Sequence, residues 1–302
     1  MFAILGIFIP IILGFLVKEI HYFDANFNKP LRMFVLRIAV PSLILTSMYK
    51  ANLQTLKQLL PVAFSFVIIT IILMILSGLL LFFMKNREKK TIYMLGLVFS
   101  NYAWIGWAVL KNRFGVEGFN RGVFFVTFWW PVLLTGGLLI AFVNKIFNTK
   151  KFPLQEYLLN ILVPIGALIV GITFNLLHFS LPEILYKSLH SLGEMTVPLI
   201  LFSVGLSISF KHSLGNLKEL VPLSILKPIL GALAGILTLL ILPISDPISR
   251  KTILLEVTMP VASLLPVLGD MFELDQKLIS SFILISTLFS LISIPIAIYL
   301  IK

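Results

Sequence analysis

The sequence predicts an all-α polytopic membrane protein. Ten transmembrane helices are expected, in two inverted five-helix repeats with helices 4 and 9 broken. Three observations predict this. Of 302 residues, 59% are hydrophobic and only 12% are charged, about half the charge density of a soluble domain. The apolar residues fall into ten runs, and the runs of the second half echo those of the first. A water-soluble enzyme and a disordered chain are excluded, because so few charges cannot coat a globule of this size. The absence of cysteine excludes a disulfide scaffold, a thiolate metal site and a Cys nucleophile.

A helix needs about 20 apolar residues to cross a roughly 30 Å hydrocarbon core. The first run, 2–17, has no basic region ahead of it and no small-x-small cleavage pattern after it. Lys18 and Glu19 close it, so it reads as a span and not a leader. The next runs lie at 31–49, 59–84, 91–110 and 119–143, and the second half follows with 158–177, 190–209, 219–242, 252–270 and 278–301. None shows the alternation of a membrane barrel strand, and their length favours helices.

The internal echo is ordered. Pro10 within Ile7–Ile11 matches Pro164 within Ile161–Ile165, and Val40-Pro41 matches Val197-Pro198. The segment Leu56–Pro61 matches Leu217–Pro222, and Lys90-Thr91-Ile92 matches Lys251-Thr252-Ile253. The matches fall on spans 1/6, 2/7, 3/8 and 4/9. Two units follow, residues 1–149 and 150–302. Five spans per unit is an odd number, so the second unit enters the membrane from the opposite side. Inverted repeats of this kind mark secondary transporters, with the substrate held near the midplane between the repeats.

The net charge is +11, with 24 Lys+Arg against 13 Asp+Glu. The cations sit mostly in short connections, where orientation of spans is a simpler account than nucleic acid binding. With the N-terminus outside, Lys18, Lys29, Arg32, Lys85, Arg87, Lys89, Lys90, Lys145, Lys150, Lys151, Lys211, Lys218 and Lys277 are cytoplasmic. They outnumber the loop cations on the other side, so both termini of this multi-pass cell-membrane protein are expected to be extracellular. His21, His178, His190 and His212 fall in or beside connections without ligand-like spacing, and no metal site is expected from them.

Spans 4 and 9 carry the candidate chemistry. Span 4 reads Gly96-Leu97-Val98-Phe99-Ser100-Asn101-Tyr102-Ala103-Trp104-Ile105-Gly106-Trp107, and span 9 reads Leu255-Glu256-Val257-Thr258-Met259-Pro260-Val261-Ala262-Ser263. Both mix helix breakers with polar side chains at mid-span. A broken helix at that depth is tolerated where it lines a cavity, and its freed backbone groups then bind ions or substrate. Lys227 lies mid-span in helix 8, where an ammonium costs about 2.5–3.5 kcal/mol on insertion scales and calls for a partner. Glu256 is the only carboxylate in the interior of span 9 and is a candidate to carry a proton or bind sodium. Arg37, two turns into span 2, is placed to snorkel. Asp270 and Glu273 close span 9 on the solvent side. There is no phosphate-binding glycine loop and no Ser/His/Asp set, so neither ATP-driven transport nor enzymatic chemistry is expected.

Several of these strings resemble one family. Phe34–Pro41 looks like the second helix of the auxin efflux carriers, and Phe99-Ser100-Asn101 through Gly106 is similar to their G-N-T-G-F-x-G-x-P helix. Phe114–Gly118 resembles the short loop that follows. Val197-Pro198 through Leu206, Leu226-Lys227-Pro228, and Met259-Pro260 to Ser263 followed by Asp275 resemble the seventh and eighth helices and the C-terminal signature. The resemblance spans essentially the whole chain, without the long central loop of the plant carriers. It departs at Ser100, Tyr102 and Ala108, which stand where the family has glycine, threonine and proline, and Trp104 and Trp107 add bulk.

The resemblance implies a ten-helix carrier of organic anions such as auxin, malate or malonate. Spans 1, 2, 6 and 7 would form a scaffold, and spans 3–5 and 8–10 a moving unit, with broken helices 4 and 9 crossing at the substrate site. Asn101, Lys227, Pro260, Ser263 and Trp104 are the expected substrate-binding residues, and Glu256, Ser100 and Thr258 the ion-coupling ones. The expected partners are a small organic anion, a proton or sodium ion and the lipid bilayer, with a homodimer left open and no cofactor. A sodium-coupled carrier of the bile acid symporter type is the alternative, with sodium at Glu256 and Asn101. A channel or a non-transporting receptor is a further one.

Overall fold

The computed structural model describes residues 2–23, 27–50, 53–126, 128–146, 154–207 and 214–301. Lys150, Lys151, Lys211, His212 and the expected repeat boundary at 149/150 lie outside them. The described residues are overwhelmingly helical. In chain order come α1 (Phe2–Glu19), α2 (Asn28–Phe34), a π turn (Val35–Ala39), α3 (Val40–Tyr49) and α4 (Leu53–Leu80). They are followed by α5 (Arg87–Val98), a second π turn (Tyr102–Gly106), α6 (Trp107–Phe125), α7 (Trp129–Val143), α8 (Leu154–Leu176) and α9 (Glu183–Glu194). The order closes with α10 (Thr196–Ser207), α11 (Leu217–Ile241), α12 (Pro247–Glu256), α13 (Leu265–Met271) and α14 (Gln276–Leu300).

Among the described residues, four helical stretches are long and apolar enough to cross a bilayer: Pro30–Tyr49, Leu59–Leu80, Leu217–Ile241 and Gln276–Leu300. The outer faces of the last three stay apolar. Ile71, Ile75 and Leu79 on α4, Ile229, Leu233, Ile236 and Leu240 on α11, and Ile292 and Ile296 on α14 are all exposed. Rows of bare aliphatic side chains at helical spacing suit lipid and not water.

Local chemistry sets the helix ends. Asn86 caps α5 by accepting from the Lys89 amide, and Asp246 caps α12 by accepting from the Ser249 amide with Pro247 in the first turn. Asp275 caps α14 through the amides of Lys277 and Leu278. These short polar side chains satisfy amides that the helix cannot. At their other ends α1 and α8 stop alike. His21 and His178 adopt φ of 52° and 50°, and the next amides reach back to Val17 and Phe174. That left-handed cap normally takes glycine.

Several boundaries shift by a few residues against the sequence reading, and two shifts have a local cause. α6 runs on from span 4 past the expected gap before residue 119, because Gly115 at φ 65°, ψ −153° turns the chain while helical bonding resumes at once. The helix before span 7 begins at Glu183, seven residues ahead of the expected 190, behind Pro182.

The helices pack in two groups. α1 lies along α10, and α3 lies along α8 and α9. α4, α6, α11, α12 and α14 pack among themselves. The closest approach in the first group is reciprocal: a Cβ on Gly14 would overlap the Phe202 carbonyl, and one on Gly205 would overlap the Ile11 carbonyl. Lipid tails give helices no hydrophobic reason to associate, so small residues that bring backbones together do that work.

Candidate functional site

The two mid-span interruptions meet. α5 ends at Val98, α12 ends at Glu256, and the extended residues between the half-helices pair with each other. The Asn101 amide donates to the Pro260 carbonyl at 2.7 Å, and the Ala262 amide donates to the Phe99 carbonyl at 3.1 Å. Ser100 and Val261 thus form a one-rung antiparallel bridge, and the Val261 amide takes the Ser286 hydroxyl as its acceptor at 3.1 Å. Two of the backbone groups freed by each break are spent on the other.

A cavity of about 80 Å³ opens beside this bridge. By volume it holds the equivalent of about two or three waters, at roughly 30 Å³ each. Val40 and Ile44 of α3 and Pro164, Ile165 and Leu168 of α8 form one wall. Ser100, Tyr102, Trp104, Trp107, Trp129 and Ala262 contribute to the other. It therefore lies between the two helix groups. Its walls are apolar and aromatic, with the Ser100 hydroxyl at one edge.

Behind the cavity is an uncompensated acid. Glu256 is fully buried, and neither carboxyl oxygen has a hydrogen-bond partner. Its carboxyl group sits against Gly106 and Gly122. A Cβ on Gly106 would overlap Oε2, and one on Gly122 would press on Oε1. A buried charge without a partner costs several kcal/mol, so this carboxyl group calls for a proton or a cation. Other polar atoms around the crossing are equally unspent: both side-chain atoms of Asn101, the Tyr102 hydroxyl and the Trp107 indole nitrogen. Natural interiors leave few such groups, and a cluster of them asks for an occupant.

Of the expected site residues, Ser100 and Trp104 line the cavity. Asn101 and Pro260 join through their backbones. Ser263 is half-buried between two wall residues, Ala262 and Leu264. The Thr258 hydroxyl turns back to the Leu255 carbonyl at 2.7 Å, so its proton is already committed. Lys227 does not reach the cavity. Its ammonium donates to the carbonyls of Gly96, Leu97 and Phe99. Arg37 is exposed in its π turn, and Glu273 is exposed after α13.

The break in span 9 falls earlier than the position of Pro260 implies. The chain tightens first, with the Thr258 amide on Leu255 and the Met259 amide on Glu256. The Glu256 carbonyl, four residues before a proline with no amide to offer, is thereby taken by the Met259 amide at 3.0 Å. Sequence reading also missed the glycine niche of Glu256 and the unpartnered Tyr102 and Trp107. Gly106 and Trp107 sat in view at the end of the span-4 string, but only the fold brings them to a residue 150 positions away.

Comparison with known proteins bears on the whole chain. The sequence matches the profile of the membrane transport protein family over residues 1–152 and 154–298. It is 30% identical to an uncharacterised transporter of Methanocaldococcus jannaschii, covering 97% of this chain and 96% of that one. It is 28% identical to an uncharacterised transporter of Methanothermobacter thermautotrophicus, covering 97% and 95%. Matched from end to end by that profile, with two broken helices joined at a buried crossing, the chain belongs to the membrane transport protein family, the auxin efflux carrier family that its helix motifs resemble.

Proposed function

We propose that this chain is a secondary transporter of small organic anions, carboxylates foremost, working by elevator-like alternating access. The observation that carries the reading is the cavity, which lies at the joined helix breaks and between two separately packed helix groups. α1, α2, α3 and α8–α10 would be the scaffold of an inverted ten-span repeat, and the remaining helices the moving unit. The half-helix amides and the unspent Asn101 amide would take the carboxylate, with Ser263 a second hydrogen-bonding group beside Pro260. Trp104 and its aromatic neighbours would take the short apolar body. Lys227 would add positive potential from behind the Phe99 carbonyl without touching the substrate.

Glu256 is the coupling residue in this reading. A carboxyl group that alternates between empty and proton- or sodium-loaded states gives each step a different charge to bury. Glu256→Gln keeps the shape and removes the charge. In proteoliposomes this variant is expected to keep substrate exchange and to lose accumulation driven by a pH or sodium gradient. Applying the two gradients separately identifies the ion. Unchanged gradient-driven accumulation in the glutamine variant would remove Glu256 from the mechanism. A wild type indifferent to both gradients would make the protein a uniporter.

A further inference from the structure

One face of α11 runs past both broken helix ends. A Cβ on Gly231 would overlap the Val257 carbonyl, so α11 lies directly on the chain where α12 has just ended. One turn earlier on that face, Lys227 extends to the end of α5. Its Nζ donates to the Gly96 carbonyl at 2.7 Å, the Leu97 carbonyl at 3.2 Å and the Phe99 carbonyl at 3.4 Å. The residue is 1% exposed. No carboxylate among the described residues forms an ion pair with it. An ammonium has three hydrogens, and here three carbonyl oxygens receive them.

Those oxygens have no helical donors of their own. The last amide bond of α5 runs from Phe99 to Leu95, so the Gly96 and Leu97 carbonyls are orphans of a helix C-terminus, while the Phe99 carbonyl just beyond also accepts from the Ala262 amide. Such an end carries about half a negative charge. Unwound backbone carbonyls and half-helix C-terminal ends are what broken-helix carriers use to coordinate small cations, and converging carbonyls can replace a hydration shell.

We propose that Lys227 is a tethered monovalent cation. Its ammonium fills a carbonyl-lined cation site at the C-terminal end of α5, a site that takes a diffusible ion (sodium, potassium or ammonium) when the lysine is removed. Covalent attachment makes this site permanently occupied. The α5 half of the crossing therefore keeps its end whatever the ions around it, while the α12 half ends in the uncompensated acid Glu256. Lys227 is a positioning residue, and the inference stands whether or not the substrate is an organic anion.

The test uses purified protein in detergent and reads thermal unfolding in sodium, potassium, ammonium or choline chloride at equal ionic strength. Lys227→Ala opens the site, and Lys227→Met keeps most of the stem while removing the charge. Both variants are expected to melt several degrees below wild type in choline. Both should recover in at least one small cation, saturably with concentration. The wild type should melt alike in all four salts, because its site is filled.

The native chain contains no cysteine, so Lys227→Cys permits a second measurement. Modification with aminoethyl methanethiosulfonate restores an ammonium and should abolish the salt dependence. The neutral methyl reagent should preserve it. Equal loss of stability in every salt, or failure to fold in all of them, overturns the proposal and leaves Lys227 as packing. A wild type that shows the same cation dependence as the variants overturns it as well.

Discussion

At the scale of residues, Gly106 and Gly122 make the space that Glu256 fills. Glycine inside a helix normally costs about 0.5–1 kcal/mol against alanine, yet here the missing Cβ is what admits a carboxyl group. Gly106→Ala is therefore expected to destabilise the protein by about 1–3 kcal/mol, the usual cost of overpacking, and to impair ion-driven accumulation with it. Gly166→Ala on α8 is the control. A Cβ there meets nothing within 4 Å, so it should be neutral or slightly stabilising in the same thermal melts. The contrast shows what was legible at this scale. Glu256 stood out as the lone carboxylate of an apolar span, and Lys227 as a lone ammonium. Their surroundings did not, because the niche and the three carbonyls come from span 4, far off in the chain. Lys227 in particular reads from sequence as an open anion site and proves to be spent on backbone.

At the scale of elements, the two helices that end at the crossing open alike. Asn86 caps α5 and Asp246 caps α12, so both helices that lead into the crossing start on an Asx cap. Asp246 also binds Arg121 of α6 at 2.7 Å, while the Arg121 side chain is only 6% exposed. Burial pushes the Asp246 carboxyl group up, but hydrogen bonds from Arg121 and Ser249 outweigh it and hold the group below its ordinary value. A depressed carboxylate contributes stability that is complete above its unfolded pKa, near 4, and is lost as pH falls through the lower native value. Asp246→Asn should therefore cost about 2 kcal/mol at neutral pH. The gap to wild type should close only on acidification well below pH 4. A gap of constant size down to the lowest pH at which the wild type folds would mean that the charge contributes nothing. Both caps are local chemistry, an Asn and an Asp-Pro just ahead of their helices. The partnership with Arg121 was not legible in the sequence, since an arginine near the start of span 5 looks like any loop cation.

At the scale of the whole molecule, orientation and motion are the open physical questions. A cysteine at Asn86, in an otherwise cysteine-free chain, should resist an impermeant thiol reagent in intact cells and react after lysis. Ready labelling from outside would invert the cation-count argument. Motion is testable at the contacts between the two helix groups. The Ser47 hydroxyl of α3 donates to Asn120 of α6 at 2.5 Å, and Lys111 of α6 pairs with Glu194 of α9 at 2.7 Å. Both pair members in Lys111–Glu194 are partly exposed, so the link is worth roughly 0.2–1 kcal/mol. That is weak enough to break in every cycle if the groups slide past each other. Ser47→Cys with Asn120→Cys should, on oxidation, bolt α3 to α6 and stop transport in proteoliposomes, with recovery on reduction. Asn28→Cys with Ser203→Cys is the control, because these residues hydrogen-bond at 2.6 Å within one helix group. Its cross-link should leave transport intact. If the Ser47–Asn120 cross-link forms fully and transport continues at the uncross-linked rate, the two groups do not move against each other. The substrate would then cross by a path that needs no sliding, which is channel behaviour, and the division into scaffold and moving unit would fall with it.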